Sequence, residues 1–541
     1  MSQGLKDAMN RNPHLKAYVR THHKKTGSLP TFLEELPGKV KTDEGVDLIY
    51  PVGEPIFIHI FGVPGESIDY INIEPTLTKT EEEKYDQIRL TILDKAANRE
   101  FENFKGSMEE LGSLVEGLYD EVVGSGKKGF FERLKSSNVR VTKEEREKIK
   151  YFIMRNIVQH NVIEPLIRDP YIEDIHSIGT GDISIVHKVF KEVKTNIKFE
   201  NDIKLDKFLS QVSERIGNPV NDGNPIVDAV LPDGSRINII YSPDVSQKGS
   251  SFTIRKFTSV PLSISQLAKW GSLSPMVAAY IWLCIEQGLN IFVCGETASG
   301  KTTLLNAALP FVDSSKKIYT SEDTPEVQPP QHTWQRCVTR ESGPEDSRVS
   351  MFDLLKAALR SRPDYIIVGE IRGMEGAVAF QAMQTGIPVM ATFHAANTRK
   401  LVQRFTGNPI NVPLPFMDNL NVVVFQSAIY VKGKFLRRCT HVDEIVGYSR
   451  AKKGIITKTV FEWNPAHDVH VFRGLNNSYI LEEKIAVPRG YADKREIYTE
   501  LKLRAKIIQT MCDKNILGYE ETNKVYHNYR LGGVSNLPFS M

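Results

Sequence analysis

An apolar strand that leads into a glycine-bounded loop and then into a helix constrains this chain more than any other feature. Residues 291–294 read IFVC, the loop GETASGKTT follows, and the apolar segment LLNAALPF comes next. Glycines let backbone N–H groups turn inward, and the following helix directs its positive N-terminus at the same point. The pattern therefore predicts a phosphate-binding loop of the Walker A type in its required strand–loop–helix context.

The loop predicts ATP and Mg²⁺ as ligands. Lys301 is expected to place its charge on the β- and γ-phosphates, and Thr302 to supply a hydroxyl to Mg²⁺. The alternative, a fortuitous turn, is disfavoured because the flanking strand and helix are both present. The loop residues predicted to contact nucleotide are Gly295, Glu296, Thr297, Ala298, Ser299, Gly300, Lys301, Thr302 and Thr303.

Further apolar segments predict a parallel sheet around this loop. They lack polar alternation, as strands do when helices cover both faces of their sheet. The four strands are expected at residues 290–294, 317–320, 365–368 and 389–392. The carboxyl ends of parallel strands meet at one edge of a sheet, and α/β folds bind their ligands there. The predicted fold class is therefore α/β.

Ionisable side chains follow three of these strands. Glu370 ends one of them, and a carboxylate beside such a loop normally reaches Mg²⁺ or its water. Glu322, Asp323 and Glu326 follow another strand, and one of these acids could serve as a general base. His394 follows a third strand. Taken singly, each could be a solvated acid or a structural histidine, but their shared edge favours a site.

Length and composition bound the rest of the chain. With 541 residues the chain is too long for one core, and its net charge of +3 gives no argument for nucleic acid. No apolar run is long enough to cross a bilayer, because residues 277–285, the best candidate, predict a buried helix. The five cysteines are scattered without a CxxC pair, which disfavours disulfides and a cysteine zinc site. A reducing cytoplasm fits best.

Changes of pattern divide the chain into four parts. Residues 1–138 combine a basic tail, short strands and a helical segment, and the tail is either solvated and partly disordered or a docking segment. A glycine-rich break is expected at residues 124–126. Residues 139–258 form an α+β module, in which Thr142 and Glu145 predict a capping box and residues 232–234 a hairpin turn. The remaining parts are a linker at residues 259–263 and the P-loop domain with a C-terminal helical extension at residues 264–541.

The four strand-end elements, in this order, resemble the type II/IV secretion ATPase superfamily. Its Asp box matches residues 319–326, its Walker B signature residues 359–372 and its His box residues 391–397. The segments IEPLIRDPYIEDI and DGSRINI are similar to the N-terminal domain of that family. The resemblance covers roughly residues 139–448 and implies a RecA-like P-loop domain preceded by an α+β, PAS-like domain.

The resemblance also implies roles for individual residues. Glu326 would be the general base, Glu370 would help to hold Mg²⁺ and water, and His394 would sense the γ-phosphate. Two arginines flank these elements, Arg360 before the Walker B strand and Arg404 after the His box. In the hexamers of this family, arginines of the N-terminal domain reach nucleotide near a domain or subunit boundary. The positions in this chain that match are Arg236 and Arg255. A surface ion pair is the alternative for each arginine.

Finer features favour the archaeal branch, most closely the archaellum motor ATPases. Ala298 stands where many bacterial members have glycine, and residues 408–438 and the tail resemble that branch. Archaeal adhesive-pilus ATPases share much of this pattern and remain the alternative. Two departures are Gly386-Ile387, where the family commonly has Gly-His, and the lack of a four-cysteine zinc module.

The resemblance implies a homo-hexamer that is cytoplasmic and peripheral to the membrane. Its expected partners are an integral-membrane platform protein and peripheral motor components, with no nucleic acid and no membrane span. A conjugation-type or RecA-like nucleic-acid motor is a second hypothesis, which the near-neutral charge disfavours. A nucleotide-regulated scaffold is a third, and the intact Lys301, Thr302, Glu326 and Glu370 argue against it.

Overall fold

The computed structural model divides the chain into two compact units, Met1–Phe257 and Thr258–Met541. It describes residues 2–37, 40, 45–63, 67–99, 108–123, 139–257, 260–340, 345–431 and 434–540. The glycine-rich break expected at residues 124–126 and the first residue of the expected linker lie outside the described residues. No helix in the described part of the chain has the length and apolar character needed to span a bilayer.

The first unit combines seven helices with ten strands in the part of the chain that the structure describes. Its helices are α1 (Gln3–Arg11), α2 (Pro13–Thr26), α3 (Lys79–Ala97), α4 (Met108–Val123), α5 (Lys143–Ile153), α6 (Glu164–Arg168) and α7 (Asp202–Arg215). Its strands are β1 (Thr31–Phe32), β2 (Val46–Pro51), β3 (Phe57–Gly62), β4 (Asp69–Ile73), β5 (Ile172–Ile178), β6 (Ser184–His187), β7 (Lys191–Thr195), β8 (Ile226–Val230), β9 (Arg236–Ile240) and β10 (Ser251–Arg255). The predicted capping box at the start of α5 is confirmed, and so is the hairpin turn between β8 and β9.

These ten strands form one sheet in the order β1-β2-β3-β4-β7-β6-β5-β10-β9-β8. Most neighbours are antiparallel, and β4 joins β7 in parallel through Asp69 opposite Lys194 and Tyr70 opposite Thr195. The sheet thus runs across the boundary that the sequence suggests between residues 138 and 139. Pattern alone does not show such a pairing, because its two strands are far apart in the sequence.

The first thirty residues are not a solvated tail where the structure describes them. Helix α1 is capped by Ser2, whose Oγ accepts from the Leu5 N–H at 3.3 Å, and Pro13 opens α2. Both helices bury apolar side chains against one face of the sheet, namely Leu5, Ala8, Met9, Leu15 and Val19 against Ile49, Phe57 and Ile73. Those spacings place the apolar residues on one helical face. Of the two alternatives for this segment, the solvated tail is therefore wrong, since its many charges concealed the apolar pattern.

The second unit contains nine strands and eight helices among its described residues. Its strands are β11 (Ile291–Gly295), β12 (Ile318–Glu322), β13 (Trp334–Val338), β14 (Tyr365–Ile371), β15 (Val389–Phe393), β16 (Val422–Val431), β17 (Lys434–Ser449), β18 (Gly454–Asn464) and β19 (Val469–Phe472). Its helices are α8 (Ile264–Lys269), α9 (Pro275–Glu286), α10 (Lys301–Ala308), α11 (Met351–Ser361), α12 (Glu375–Gln384), α13 (Thr398–Thr406), α14 (Ile497–Asp513) and α15 (Tyr519–Gly532).

The sheet of the second unit confirms the predicted α/β class. Its order is β13-β12-β14-β15-β11-β16-β17-β18-β19, and the neighbours from β13 to β16 are all parallel. The four predicted strands correspond to β11, β12, β14 and β15, and every residue of β11, β12 and β15 is buried. Strands β16 to β19 add an antiparallel meander. Helix α9, buried along residues 277–285, confirms that the longest apolar run is a core helix.

Candidate active site

The loop between β11 and α10 has the backbone shape of a phosphate cradle. Gly295 has no room for a side chain, because a Cβ there would lie 2.1 Å from the Gln426 carbonyl oxygen. Ser299, which is 1% exposed, donates from Oγ to the Glu296 carbonyl oxygen at 2.8 Å. Ala298 adopts a left-handed backbone with φ of +60°, a conformation that costs a non-glycine residue about 1–2 kcal/mol. The loop is thus held in a tight, inward-turned form.

Lys301 opens α10 and reaches back across the loop. Its Nζ donates to the Glu296 carbonyl oxygen at 2.8 Å, and the residue is 8% exposed. The positive charge of this largely buried ammonium group attracts negative charge, so the site favours an anion beside it. Thr302 and Thr303 follow in the first turn of α10, both half-buried. The predicted loop residues therefore come together as the Walker A pattern requires.

Glu322, the last residue of β12, is the most enclosed acid at the carboxyl edge of the sheet. Its Oε1 accepts from the backbone N–H groups of Glu326 at 2.8 Å and Val327 at 2.7 Å. Its Oε2 is buried and accepts no hydrogen bond from the described residues. Burial raises the pKa of Glu322 to about 7, against the effect of those two N–H groups. A Cβ at Gly369 of β14 would lie 3.0 Å from Glu322 Cγ, so a larger residue there would crowd the Glu322 side chain.

Glu326, the predicted general base, is held against the helix that follows the loop. Its N–H donates to Glu322, and its carbonyl oxygen accepts from Asn306 Nδ2 of α10 at 2.8 Å. Asn306 also accepts at Oδ1 from the Gln328 N–H at 2.8 Å. Because α10 begins at Lys301, these bonds fix the half-buried Glu326 relative to the phosphate loop.

Glu370 and His394 meet at the ends of adjacent strands. Glu370 Oε2 accepts from Arg372 Nε at 2.8 Å and from its Nη2, while Oε1 lies 2.6 Å from His394 Nε2. Burial lowers the pKa of His394, Lys301, Arg372 and Arg404 lower it further, and Glu370 opposes them. Three cations, one acid and one imidazole thus act on each other at this edge, an arrangement suited to a polyanion and a metal ion.

Comparison with known proteins identifies the family once this geometry is known. The model of the type II/IV secretion system protein family matches residues 156–429, half of the chain. The chain belongs to this family. An uncharacterized protein of Methanocaldococcus jannaschii is 52% identical over 543 residues, which is 99% of this chain and 98% of that protein. The predicted superfamily is therefore confirmed.

More distant relatives match shorter parts of the chain. The type IV secretion system protein VirB11 of Bartonella quintana is 28% identical over 221 residues, 35% of this chain and 62% of that protein. The solved structure of the Legionella pneumophila ATPase DotB covers 67% of this chain and 93% of its own, with 15% identity and a TM-score of 0.38. The assignment rests on the family model and the full-length relative, and a structural likeness this low adds no weight to it. At the level of the family, membership implies a nucleotide-binding secretion ATPase.

Arg404 and Arg360, the two predicted arginines of the second unit, have different surroundings. Arg404, on α13, donates from Nη1 to the His394 carbonyl oxygen, and its guanidinium lies 4.7 Å from the centre of the Phe393 ring. Arg360 is exposed in the last turn of α11, which leads to the amino end of β14. The structure thus brings Arg404 to the carboxyl edge and leaves Arg360 near the opposite edge.

Arg236 and Arg255 lie in the first unit, as neighbours on β9 and β10. They are directly opposite each other, and Asp174 of β5 is opposite Arg255 on the other side. Directly opposed residues share a sheet face, and like charges in that position are destabilising. Burial raises the pKa of Asp174, and the charge of Arg255 opposes that rise. Asp174 thus offsets the charge of Arg255 directly, while Arg236 lies one strand further away.

Arg437 is a site neighbour that sequence reasoning missed. Its Nε donates to the Ala298 carbonyl oxygen at 2.9 Å, which supports the left-handed residue of the loop. The contact arises because β17 pairs with β16, which in turn pairs with the loop-bearing β11. No motif marks this arginine, and only the pairing of the meander would have revealed it.

Proposed function

We propose that this chain hydrolyses Mg²⁺-ATP and acts as a motor ATPase in a homo-hexamer at the cytoplasmic face of the membrane. One observation carries the proposal: Lys301 is buried across a closed phosphate loop while Glu326 is bound to the helix that Lys301 opens. The charge of Lys301, the phosphate loop and the candidate base Glu326 are thus all fixed to helix α10. Positioning of this kind is the main source of catalysis in phosphoryl transfer.

The residues present fit ATP and Mg²⁺. A side chain at Gly295 would clash with the Gln426 carbonyl oxygen, and the buried ammonium of Lys301 favours an anion. Thr302 and Glu370 offer the oxygen ligands that Mg²⁺ prefers. Once bound there, Mg²⁺ would neutralise charge on the phosphate oxygens. Arg437 supports the loop backbone that the phosphates would contact.

The chain's own residues then divide the work. Glu326 takes the proton of the attacking water, and Glu322 holds the turn that carries it. Lys301 balances negative charge on the transferred phosphate. His394 senses that phosphate, and its Nε2 lies 2.6 Å from Glu370 Oε1. Arg404 orients the backbone of His394.

Three arginines complete the proposed site from outside this edge. Arg360 lies away from the loop in its own chain, which suits contact with a neighbouring subunit. Arg236 and Arg255 form a cationic pair with one acid, which suits a phosphate partner. Charge from these groups would reach the phosphate only when the ring places the modules correctly.

The machine we propose is the archaellum, in its assembly, its rotation or both. The loop variant with Ala298 and the resemblance of residues 408–438 support this branch. The expected partners are an integral-membrane platform protein and peripheral motor components, without nucleic acid. An archaeal adhesive pilus or a type II-like secretion system is the alternative, because its ATPases share these features.

Replacing the chromosomal gene with a Lys301→Ala allele tests the choice of filament. Loss of archaella with intact pili, seen by electron microscopy, is expected, and the reverse would support the pilus alternative. A parallel ATPase assay with Mg²⁺, run alongside light scattering, tests the hexamer. ATPase activity that DNA stimulates in a salt-dependent way would instead favour a nucleic-acid motor.

A further inference from the structure

Two histidines and an aspartate converge in the first unit, away from the phosphate loop. His22 Nε2 lies 3.1 Å from Asp47 Oδ2, and His59 Nε2 lies 2.9 Å from Asp47 Oδ1. All three potential ligand atoms lie within 4.8 Å of one another. His59 is fully buried, His22 is 9% exposed and the Asp47 side chain is 24% exposed. One side of the cluster is therefore open enough to exchange a small ligand.

Strand register brings these side chains together. Asp47 of β2 is opposite Phe61 of β3, so His59, two residues from Phe61, projects from the same face. Helix α2 lies on this face and adds His22, whose ring makes an edge contact with His59 at 4.6 Å between centroids. The cluster thus joins the N-terminal helices to the sheet.

Two further groups hold the cluster in position. Tyr18 Oη lies 2.8 Å from His59 Nδ1, and Ser28 Oγ donates to Asp47 Oδ2 at 2.8 Å. Metal-bound histidines almost always use their second ring nitrogen in this way, as a hydrogen bond to an oxygen that fixes ring and tautomer. Nδ1 of His59 is engaged, and Nε2 is directed at the carboxylate.

We propose that His22, Asp47 and His59 bind one divalent transition-metal ion of the kind that imidazole favours, with Zn²⁺ as the probe. Zn²⁺ takes histidine nitrogen and carboxylate oxygen at about 2.0–2.2 Å, which places tetrahedral ligand atoms about 3.4 Å apart. The two histidine-to-carboxylate contacts of 2.9 and 3.1 Å need to open by a few tenths of an ångström, and ligand atoms separated by up to 4.8 Å need to close around the ion. Three protein ligands leave a fourth position for water.

The proton balance is simple at His59. Without metal, its Nε2–H donates to Asp47, and Tyr18 donates to Nδ1. With the metal on Nε2, the ring proton is on Nδ1, and this Nδ1–H donates a hydrogen bond to the Tyr18 oxygen. Tyr18 can play both parts because a phenol both donates and accepts.

Titration of the chelator-treated, full-length protein tests this site. Zn²⁺ is added against a competing chromophoric chelator in excess Mg²⁺, and Co²⁺ absorption reports ligand geometry. We expect one tight equivalent in the wild type, with affinity lowered at least about 100-fold in His22→Gln and about tenfold in Tyr18→Phe. His23→Gln, which changes an exposed residue of the same helix, serves as the matched control and should leave the affinity unchanged.

The decisive comparison is His22→Gln with His23→Gln, because both variants change α2 and only one removes a ligand. Equal Zn²⁺ affinity in these two variants, or a Co²⁺ spectrum that His22→Gln leaves intact, overturns the proposal. Should a second ligand variant, Asp47→Asn, fail to fold, the comparison of His22→Gln with His23→Gln still decides the result. Lys301→Ala is expected to bind Zn²⁺ like the wild type, so this site can fail or stand independently of ATP hydrolysis.

Discussion

Two buried acids, Asp169 in the first unit and Glu322 in the second, meet opposite conditions. Asp169 of the first unit accepts from the Tyr50 hydroxyl at 2.7 Å, the Tyr70 hydroxyl at 2.9 Å and the Tyr171 N–H at 2.8 Å. Glu322 of the second unit has one oxygen bonded to backbone and another that accepts nothing from the described residues. Burial raises the pKa of both acids.

The difference separates a structural acid from one that belongs to a site. A network that uses all its hydrogen-bonding capacity inside the chain fixes a fold and needs no ligand. A buried oxygen that accepts no hydrogen bond is an acceptor for which the chain has supplied no donor. Glu322 occupies such a place, at the edge that also gathers Lys301, Glu370 and His394. Substitutions at the two kinds of position test whether that contrast holds.

The largest expected effect is on Lys301. Lys301→Ala should abolish ATP turnover, with a loss of at least about 10³-fold or ~4 kcal/mol, because it removes the buried charge beside the phosphates. Steady-state ATPase assays with the wild type measure the loss. Lys316→Ala removes an exposed lysine that pairs with Asp364 at 3.0 Å and should keep its activity. Retention of more than about a tenth of the wild-type rate, a loss below ~1.4 kcal/mol, would refute the site assignment.

The next effect divides the two glutamates. Glu326→Gln should bind Mg²⁺-ATP with near-normal affinity and hydrolyse it about 10²–10⁴-fold more slowly, as expected on loss of a general base. Glu370→Gln should also be slow but should need a different Mg²⁺ concentration, since it is the proposed metal ligand. Nucleotide affinity and rate against Mg²⁺ separate the two. Matching Mg²⁺ profiles would show that these roles are wrongly divided.

Much of the second unit could be predicted, because its signals are local. The phosphate loop and the uninterrupted apolar strands are read within a few residues, and parallel topology then gathers their ends at one edge. The strand β7 of the first unit shows the contrast, with the exposed Lys191 and Lys194 flanking the buried Val193. Its partner β4 is distant in sequence, so no short pattern predicts the pairing. For the same reason, no short pattern predicts the contact of Arg437 with Ala298, which depends on strand pairing in the meander.

A smaller effect tests the closed network around Asp169 through His187, whose Nε2 lies 3.3 Å from the Tyr50 hydroxyl oxygen. Its Nδ1 accepts from the backbone N–H groups of Val189 at 3.1 Å and Phe190 at 3.3 Å. Burial, with help from Lys188, lowers its pKa to about 3. Below its unfolded pKa of about 6.5, only the unfolded chain binds the proton, so the free energy of unfolding falls as pH drops towards 3. At pH 5 the loss should be about 2 kcal/mol relative to pH 7.

Urea unfolding at pH 7 and pH 5, with hydrogen exchange followed in β5 to β7, measures this loss. His187→Gln should reduce the difference between the two pH values, even if it lowers stability at both. His332→Gln, an exposed histidine of the second unit, is the control and should leave the difference unchanged. The same pH dependence in wild type and His187→Gln would mean that this network does not hold a neutral imidazole.

The smallest expected effect, about tenfold or ~1.4 kcal/mol in ATPase rate, concerns Arg255, where the two regions would have to cooperate. Arg255 lies in the first unit beside Arg236, and one acid faces the pair. If a subunit of the ring presents this pair to phosphate, Arg255→Ala should still bind nucleotide while its rate falls. The rate should also lose its steep dependence on protein concentration, because that dependence reflects assembly of the shared site. Arg99→Ala, an exposed arginine paired with Glu121 at 2.8 Å, controls for loss of surface charge.

Mixing experiments decide whether the site is shared. Arg255→Ala retains its own Lys301, and Lys301→Ala retains its own Arg255, so a mixed ring can contain one complete site built from two damaged subunits. The rate of such a mixture should then depart from the sum of its parts, and mass by light scattering should show that rings form. A wild type that is fully active as a monomer, together with an unchanged Arg255→Ala rate, would exclude the shared site. The cationic pair would then be a surface feature of the first sheet, and the shared catalytic site would reduce to the carboxyl edge around Lys301, Glu326 and Glu370.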